Sequence, residues 1–402
     1  MRISTLFLAM LLLFTVCNVS AQHVNTKKET PLAVLPFSKG TWSFTNRPNL
    51  SYTNFKSQVN GNPKSSDFRI DPSYFFIDGF AVGIDARIGG NSSKNAKSKY
   101  SSWQANFTLT YGRKITDRIG AYIKAFAGPG HSKSEFDIST LGNNPQKLDA
   151  KYFEAKGLIG FPISLDAGSA ACLTPYFTYD YYKTNTETNK FTDKSIAFGF
   201  KLESYIGKDK VANGKLSQDF SNTAYRKGSH FLEFNTLAGY SSDKRQQTQI
   251  GSNTLIAPQL IKSTNIGLGY NYYVVDNVAV GLNINLNSTK MGYKGTTPSK
   301  TTSFMITPNV TVNAPVSGAA HNLFLQAGYG FGSYKEPKKK LTDLSIKAGY
   351  NIFIGKVLTL TPKIGYEQQK GKVPSGISGI PYTNSGIVAE MGVRTWLNFW
   401  KW

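Results

Sequence analysis

The residue types best suited to catalysis stand together at His131 and Ser132, with Glu135 and Asp137 a few positions further along. A hydroxyl, an imidazole and a carboxylate are the groups with which a hydrolase activates a nucleophile. The same types meet in many polar loops, and this segment is also rich in Ser, Asn and Gly. We therefore interpret it as part of an outer loop and predict that the protein is not an enzyme.

Metal chemistry has even less support in the sequence. The four histidines are His23, His131, His230 and His321. No two of them have the spacing of a metal-ligand pair. Cys172 is the single cysteine after the first twenty residues, and one cysteine cannot form an internal disulfide. The sequence predicts no metal site and no cofactor.

Charged residues recur at alternate positions in several segments, which is the spacing that puts side chains on one face of a strand. Asp85 and Arg87 are one such pair of an acid and a base. We predict a network of inward-facing charges formed by Asp85, Arg87, Lys124, Glu154, Lys156, Asp180, Lys201, Glu203, Lys347, Lys363, Glu367, Glu390 and Arg394. Charges in a narrow lumen must be paired or hydrated. Two interpretations stay open: ion pairs that plug a barrel, or the polar lining of a pore.

The elements that would position these charges are β-strands with one apolar face. Phe80, Val82 and Ile84 alternate with small or charged residues, which is the pattern of such a strand. Charged residues make up 17% of the chain, against about 25% in soluble domains. After the first twenty residues, no apolar run approaches the roughly 18 residues that a membrane helix needs. The composition is typical of an all-β transmembrane barrel, in which half of each strand faces lipid.

Similar segments return in the same order in both halves of the chain. The matched pairs are 39–41 with 227–229, 74–85 with 272–283, and 173–175 with 360–362. Similar segments that recur in the same order predict an internal repeat. We therefore predict two homologous β-barrel units, 39–206 and 227–402, separated by a polar periplasmic linker, 207–226.

Each unit offers eight candidate strands, sixteen in total. In the first unit they lie near 41–55, 66–77, 79–90, 101–115, 119–130, 149–163, 171–184 and 192–206. In the second they lie near 229–242, 258–275, 277–289, 300–313, 320–333, 341–354, 357–368 and 384–399. The longer connections are 91–100, 131–148, 243–257 and 334–340. Short turns opposite longer loops are the organisation of an antiparallel up-and-down barrel in the outer membrane.

The last predicted strand alternates through Ile387, Ala389 and Met391 and ends in aromatic residues. Each unit resembles the small eight-stranded bacterial outer-membrane β-barrel family. The final strand also resembles the aromatic-ended segment that the barrel assembly machinery recognises. The resemblance implies that machinery as a partner during biogenesis, and it carries no functional residue across. One departure is that the chain runs past Phe399 to end at Trp402.

Residues 1–21 have the organisation of a signal peptide, with a positive start, an apolar core and small residues before Ala21. We predict cleavage after Ala21, which leaves Gln22 first and an N-terminal segment over 22–38. The alternative is a lipoprotein signal that uses Cys17. An export signal followed by barrel strands predicts the bacterial cell outer membrane as the location.

Lysines and arginines exceed acidic residues by 22. A basic excess can indicate nucleic-acid binding, but here it lies on no helix and follows an export signal, so we predict no nucleic acid. Outer-membrane lipid and phosphate-bearing surface glycolipid are the predicted neighbours. The outer-loop candidates for the phosphates are Lys94, Lys97, Lys99, Lys335, Lys338, Lys339 and Lys340. The alternative for these lysines is a solvated loop without a ligand.

Two closures of the sheet are compatible with the pattern. The connection 207–227 is longer than an ordinary periplasmic turn, which favours two tandem small barrels over one sixteen-stranded barrel. The predicted function is structural, or binding through the extracellular loops around a plugged lumen. The alternative is a porin-like passive channel for small solutes.

Overall fold

The computed structural model of this chain describes fifteen segments. They are 37–46, 51–57, 64–93, 98–116, 118–136, 146–165, 171–186, 189–206, 224–249, 255–293, 296–315, 322–335, 339–354, 358–372 and 382–397. The predicted signal peptide with its cleavage at Ala21 and Gln22, the candidates Lys94, Lys97 and Lys338, and the end of the chain at Trp402 lie outside these segments.

The described segments form nineteen antiparallel strands of one sheet. The first eleven are β1 (Trp42–Asn46), β2 (Ser51–Ser57), β3 (Lys64–Ile70), β4 (Ser73–Ile77), β5 (Phe80–Ser93), β6 (Ser98–Lys114), β7 (Gly120–Phe136), β8 (Gln146–Gly160), β9 (Ile163–Ser164), β10 (Ala171–Asn185) and β11 (Asn189–Ile206). The others are β12 (His230–Gln249), β13 (Leu255–Val275), β14 (Val278–Tyr293), β15 (Ser299–Pro315), β16 (Asn322–Tyr334), β17 (Lys339–Ile354), β18 (Leu358–Lys372) and β19 (Tyr382–Trp396). Among the described residues, no helix is long and apolar enough to cross a membrane.

Sharp connections lie at one end of the sheet, which we call the turn end; the opposite end is the loop end. Between β4 and β5 the turn is Asp78-Gly79, and Gly79 has a φ of 81°. Between β13 and β14 the turn is Asp276-Asn277, and Asn277 has a φ of 64°. Glycine and asparagine are the residues that best tolerate this left-handed conformation.

Side chains alternate strictly between the two faces of the sheet, with the polarity opposite to that of a soluble protein. On β6 the outward side chains Phe107 and Leu109 are 61% and 48% exposed. The inward side chains Asn106 and Thr108 between them are 1% and 0% exposed. The apolar face is therefore the outer surface, and the polar face lines the interior.

Several strands differ in length from their predictions. Lys99 lies within β6, His131 within β7, and Lys339 and Lys340 within β17, so the prediction that these residues lie in loops is wrong. The strands continue beyond the apolar band into polar sequence at the loop end. Hydrophobic alternation marks only the apolar part of such a strand, so it underestimates the length.

Two predicted strands are each divided. The first, 41–55, becomes β1 and β2, and the second, 66–77, becomes β3 and β4. The second division lies at Asp71-Pro72, where the proline has no N–H to donate to a ladder. The Pro72 carbonyl instead accepts a hydrogen bond from Ile84 N at 3.0 Å.

Strands β11 and β19 each have different partners at the two ends of the sheet. At the turn end, β1 pairs with β11 (Trp42 opposite Ile206), and β12 pairs with β19 (Phe231 opposite Trp396). At the loop end, β11 pairs with β12, and β19 pairs with β2. The pairings at the turn end therefore lie within each half of the chain, whereas those at the loop end join the two halves.

Candidate functional site

One aromatic side chain that precedes the first strand packs against interior residues at the turn end of the first half. Phe37 is 4% exposed and lies among residues of three different strands. Its ring centroid is 5.8 Å from that of Phe75, 6.2 Å from that of Tyr122 and 6.1 Å from that of Tyr205. We call these four residues the first aromatic plug.

Tyr225 packs in the same way at the turn end of the second half. Its ring centroid is 6.0 Å from that of Tyr273, 6.3 Å from that of Phe353 and 5.3 Å from that of Trp396. Phe231 completes this cluster and lies 5.0 Å from Trp396. We call these five residues the second aromatic plug.

Backbone hydrogen bonds hold the first plug to the turn between β4 and β5, and the second plug to the turn between β13 and β14. Gly79 N donates to the Phe37 carbonyl at 2.8 Å, and Asn277 N donates to the Tyr225 carbonyl at 2.7 Å. Side chains of the same turns add equivalent bonds. Lys39 N donates to Asp78 Oδ1 at 2.8 Å, and Lys227 N donates to Asp276 Oδ1 at 2.7 Å. The two plugs thus share both their aromatic character and their backbone attachment.

Above the first plug, the interior is filled by ion pairs. Arg69 donates two hydrogen bonds to Asp85, at 2.8 and 2.7 Å. Lys156 is 3.2 Å from Asp180. Further bonds hold Glu154, which accepts from Gln104 and Asn106. Lys124 is buried with its ammonium nitrogen 5.0 Å from the centre of the Phe126 ring.

Glu203 lies nearest the first plug and has one cationic partner. Lys201 is 2.9 Å from Glu203 Oε1. Hydroxyl groups satisfy the rest of the carboxylate: Tyr122 donates at 2.8 Å, Thr174 at 2.6 Å and Tyr205 at 3.2 Å. Two of these hydroxyls belong to the first plug, so the plug and the charge network are one continuous structure.

In the second half, the acid nearest the plug has two cationic partners. Glu233 is 0% exposed and accepts hydrogen bonds from Lys363 and from Arg394, the latter at 3.1 Å. Arg394 is also 0% exposed and donates to Asn351 at 3.0 Å. Its guanidinium carbon lies 4.0 Å from the centre of the Phe324 ring.

The network of the second half continues towards the loop end through alternating charges. Lys363 is 3.1 Å from Glu390, and Glu390 is 3.0 Å from Lys347. Lys347 in turn is 3.4 Å from Glu367. Paired acids and bases therefore occupy the interior from the second plug to the middle of the sheet.

All thirteen residues predicted for the network belong to described strands, and twelve lie in these two interior groups. Arg87 is the exception, because it lies nearer the loop end, where its side chain is 55% exposed and 3.0 Å from Asp67. The prediction missed Arg69, Glu233 and Asp343, which are interior residues of β3, β12 and β17. Each stands on the inward face of its strand, so the alternation itself could have identified them.

A cavity of about 690 Å³ opens among interior residues at the loop end. Its lining combines three tyrosines with charged residues: Tyr100, Tyr152, Tyr182, Asp67, Arg87 and Arg245. Arg245 on β12 lies 3.0 Å from Asp193 on β11, so residues of both halves contribute.

The residues that first suggested catalysis do not face one another. His131 and Ser132 are neighbours within β7, so their side chains project to opposite faces of the sheet. His131 instead lies 2.5 Å from Asp149 on β8. Asp137 lies outside the described segments, and the described residues contain no group of three metal-ligating side chains.

No family model matches this chain, and no curated protein sequence matches it. Solved structures with which it shares a partial likeness include the CymD monoaromatic hydrocarbon channel, at 10% identity, 91% coverage of each chain and a TM-score of 0.36. A bacterial polysaccharide outer membrane secretin matches at 8% identity, covering 89% of this chain and 98% of that chain, with a TM-score of 0.36. The toluene transporter TodX of Pseudomonas putida matches at 12% identity, 92% coverage of each chain and a TM-score of 0.31. These TM-scores are too low for any property of those proteins to be transferred.

Proposed function

We propose that this chain is a non-enzymatic integral β-barrel of the bacterial outer membrane, with a plugged interior and a structural or binding role at its loop end. The observation that carries the proposal is the inverted polarity of the sheet. Outward residues such as Phe107 are large, apolar and exposed, while the interior holds polar residues such as Thr108. This alternation suits a strand with lipid on one side and a polar lumen on the other.

The plugged interior is supported by the two aromatic plugs and the ion pairs above them. Phe37 and Tyr225 each pack on residues from several strands of one half. Buried charges such as Glu233 and Arg394 are paired with each other rather than left to line a water-filled path. An interior filled in this way has no continuous route for a solute.

The division into two units is supported by where the plug contacts lie. The described ring contacts of Phe37 are with residues of 39–206, and those of Tyr225 are with residues of 227–402. Pairing of β1 with β11 and of β12 with β19 also closes each half at the turn end. Each unit then begins with its own plug residue, two positions before the start that the sequence repeat suggests.

A porin-like channel is the second candidate function, and one observation favours it. The loop-end pairing of β11 with β12 and of β19 with β2 continues across both halves. If this pairing extended along the whole strands, it would make one sixteen-stranded ring, and rings of that size leave an aqueous channel.

Single-channel conductance of the reconstituted full chain separates the two functions. A plugged interior predicts no steady open current, and a porin-like channel predicts stable openings in every insertion. Paired cysteines test the closure, with Cys172 first changed to Ser. One pair replaces Phe44 and Ser204, which face each other between β1 and β11; the other replaces Ser195 and Asp243, between β11 and β12. Two units predict efficient cross-linking of the first pair, and its failure beside efficient cross-linking of the second favours one large ring.

A further inference from the structure

Four lysines lie side by side on the outer face of the second half, near the loop end. Lys262 on β13 is directly opposite Lys290 on β14, and Lys290 is directly opposite Lys300 on β15. Lys244 on β12 is opposite Leu260, which is two residues from Lys262 and therefore on the same face. We call these four lysines the basic row. All four are exposed.

The basic row lies at the edge of the apolar band. On the same face of β14, Val280, Leu282 and Ile284 are 42%, 40% and 38% exposed. Lys290 is ten residues after Val280. On a strand tilted by about 40° from the barrel axis, this separation corresponds to about 25 Å along that axis. The apolar band of a membrane barrel is about 25 Å tall. The ammonium groups therefore lie level with lipid head groups rather than with acyl chains.

The arrangement is electrostatically unfavourable in the protein alone. Like charges directly opposite each other on neighbouring strands destabilise a sheet. Among the described residues, no carboxylate lies within 4.0 Å of a basic-row ammonium group. The outward neighbours one step below the row are the hydroxyl residues Thr264, Ser288 and Thr302. Lysines and hydroxyls together are ligands for an anion with several oxygens, such as a phosphate group.

The described outward lysines of β7 and β8 in the first half form no such row, although Lys194 on β11 lies directly opposite Lys244 and adjoins the basic row. Lys133 on β7 lies 3.8 Å from Asp149, and Lys147 on β8 lies 3.7 Å from Glu135. His131 also contacts Asp149. Acids thus offset two of the three outward lysines on these two strands, so this face has less attraction for an anion.

The basic row also has a concave shape at one end. A cavity of about 400 Å³ is lined by three of the lysines together with Leu260, Tyr293 and Pro298. Apolar and cationic side chains thus meet in one depression at the head-group level. A lipid whose phosphate is attached to a sugar ring fits this combination better than a free phosphate ion does.

We propose that the basic row binds the phosphate groups of a phosphorylated glycolipid in the outer leaflet, so that the second half is the lipid-holding side of the protein. The inference rests on the outer-membrane location proposed above. The acyl chains lie along the apolar band around Ile284, and the phosphates lie between Lys262, Lys290 and Lys300.

The test compares two variants of the full chain that each lose three positive charges from outward lysines towards the loop end. One is K262Q/K290Q/K300Q in the basic row, and the other is K133Q/K147Q/K151Q on the first half. Each protein is folded into phosphatidylcholine vesicles, and its migration with and without heating reports that the sheet has formed. Binding of purified lipopolysaccharide, of the same lipid after enzymatic dephosphorylation, and of phosphatidylglycerol is then titrated.

The basic-row variant is expected to lose roughly a hundredfold in affinity for lipopolysaccharide, from the usual contribution of three lysines near an anionic lipid surface. The first-half variant is expected to bind as the natural protein does, and the dephosphorylated lipid is expected to bind weakly to all three proteins. Equal losses in both variants, or undiminished binding of the dephosphorylated lipid, would overturn the inference. Equally tight, lysine-dependent binding of phosphatidylglycerol would overturn the glycolipid assignment. Failure of the natural protein to fold into the vesicles would instead count against the outer-membrane proposal.

Discussion

The two halves of the sheet have similar aromatic plugs at their turn ends, but their outward charges at the loop end differ. Phe37 and Tyr225 occupy equivalent places beneath the two interiors and are held by equivalent backbone bonds. At the loop end, the first half pairs Lys133 and Lys147 with acids, whereas no described carboxylate forms an ion pair with the basic row. The aromatic clusters at the turn end are thus alike in the two halves, and the outward charges at the loop end differ.

The interiors differ in a related way. Glu203 is held by one lysine and three hydroxyls, and Glu233 is held by a lysine and an arginine. Both acids are buried next to a plug. The negative charge of Glu203 is compensated largely by neutral hydroxyl groups, which can rotate. The site of Glu233 depends on the balance of three full charges, so its stability is the more sensitive to the loss of one of them.

The largest effect is therefore expected from E233Q. The variant leaves Lys363 and Arg394 buried without their shared acid, which costs about 3–5 kcal/mol. The matched variant E203Q keeps hydroxyl partners and is expected to cost about 1–3 kcal/mol. The free energy of unfolding is measured by urea titration of the vesicle-inserted chain, followed by tryptophan fluorescence. Equal losses for the two variants would contradict the contrast drawn between the two carboxylates.

Truncation of the plugs comes next. F37A and Y225A each remove a buried ring and are expected to cost about 3 kcal/mol. The comparison of interest is between the two values, because equivalent plugs should respond alike. Conductance recordings on both variants show whether either plug alone prevents leakage. A loss of stability confined to one variant would mean that only that half depends on its plug.

Arginine on the apolar face is expected to cost about 2–4 kcal/mol near the middle of the bilayer. Ile84 and Leu282 occupy matched positions of the repeat, so I84R and L282R should be equally costly. The control is N283R, on the inward face of β14, whose effect should not vary with lipid chain length. Unfolding in vesicles of two thicknesses provides the measurement. Tolerance of I84R or L282R in both would show that the face is not in lipid.

The smallest effect is expected from K147Q, on the outer face of the first half. The pair with Glu135 is exposed, and such pairs contribute at most about 1 kcal/mol. Whatever contribution exists should vanish at high salt, because exposed charges are screened. Unfolding curves at low and high ionic strength test this. A large, salt-resistant loss would show that this rim is more tightly organised than its exposure suggests.

The alternation of side chains was sufficient to predict most of the strands and the sites of most interior charges. Asp85, Glu154 and Lys363 were identified because inward positions follow from a period of two. Arg69 and Glu233 also stand at inward positions, so the same alternation could have identified them.

The plugs and the change of strand partners could not be predicted from the sequence pattern. Phe37 and Tyr225 belong to segments that show no alternation. Their role can be recognised only from their positions at the turn end of the folded sheet. Which strand lies beside β11 depends on how hundreds of residues close into a ring. Local periodicity is the same for either partner, so it contains no information about that choice.

The position of each plug along the chain has a consequence for the order of assembly. Phe37 packs on Tyr205, 168 residues later, and Tyr225 packs on Trp396, 171 residues later. Neither ring can take its place until the final strand of its half has been synthesised and inserted. Contacts between residues so distant in sequence form slowly because a long loop must be closed first. We therefore expect each plug to be completed late in the folding of its half, after the pairing of neighbouring strands.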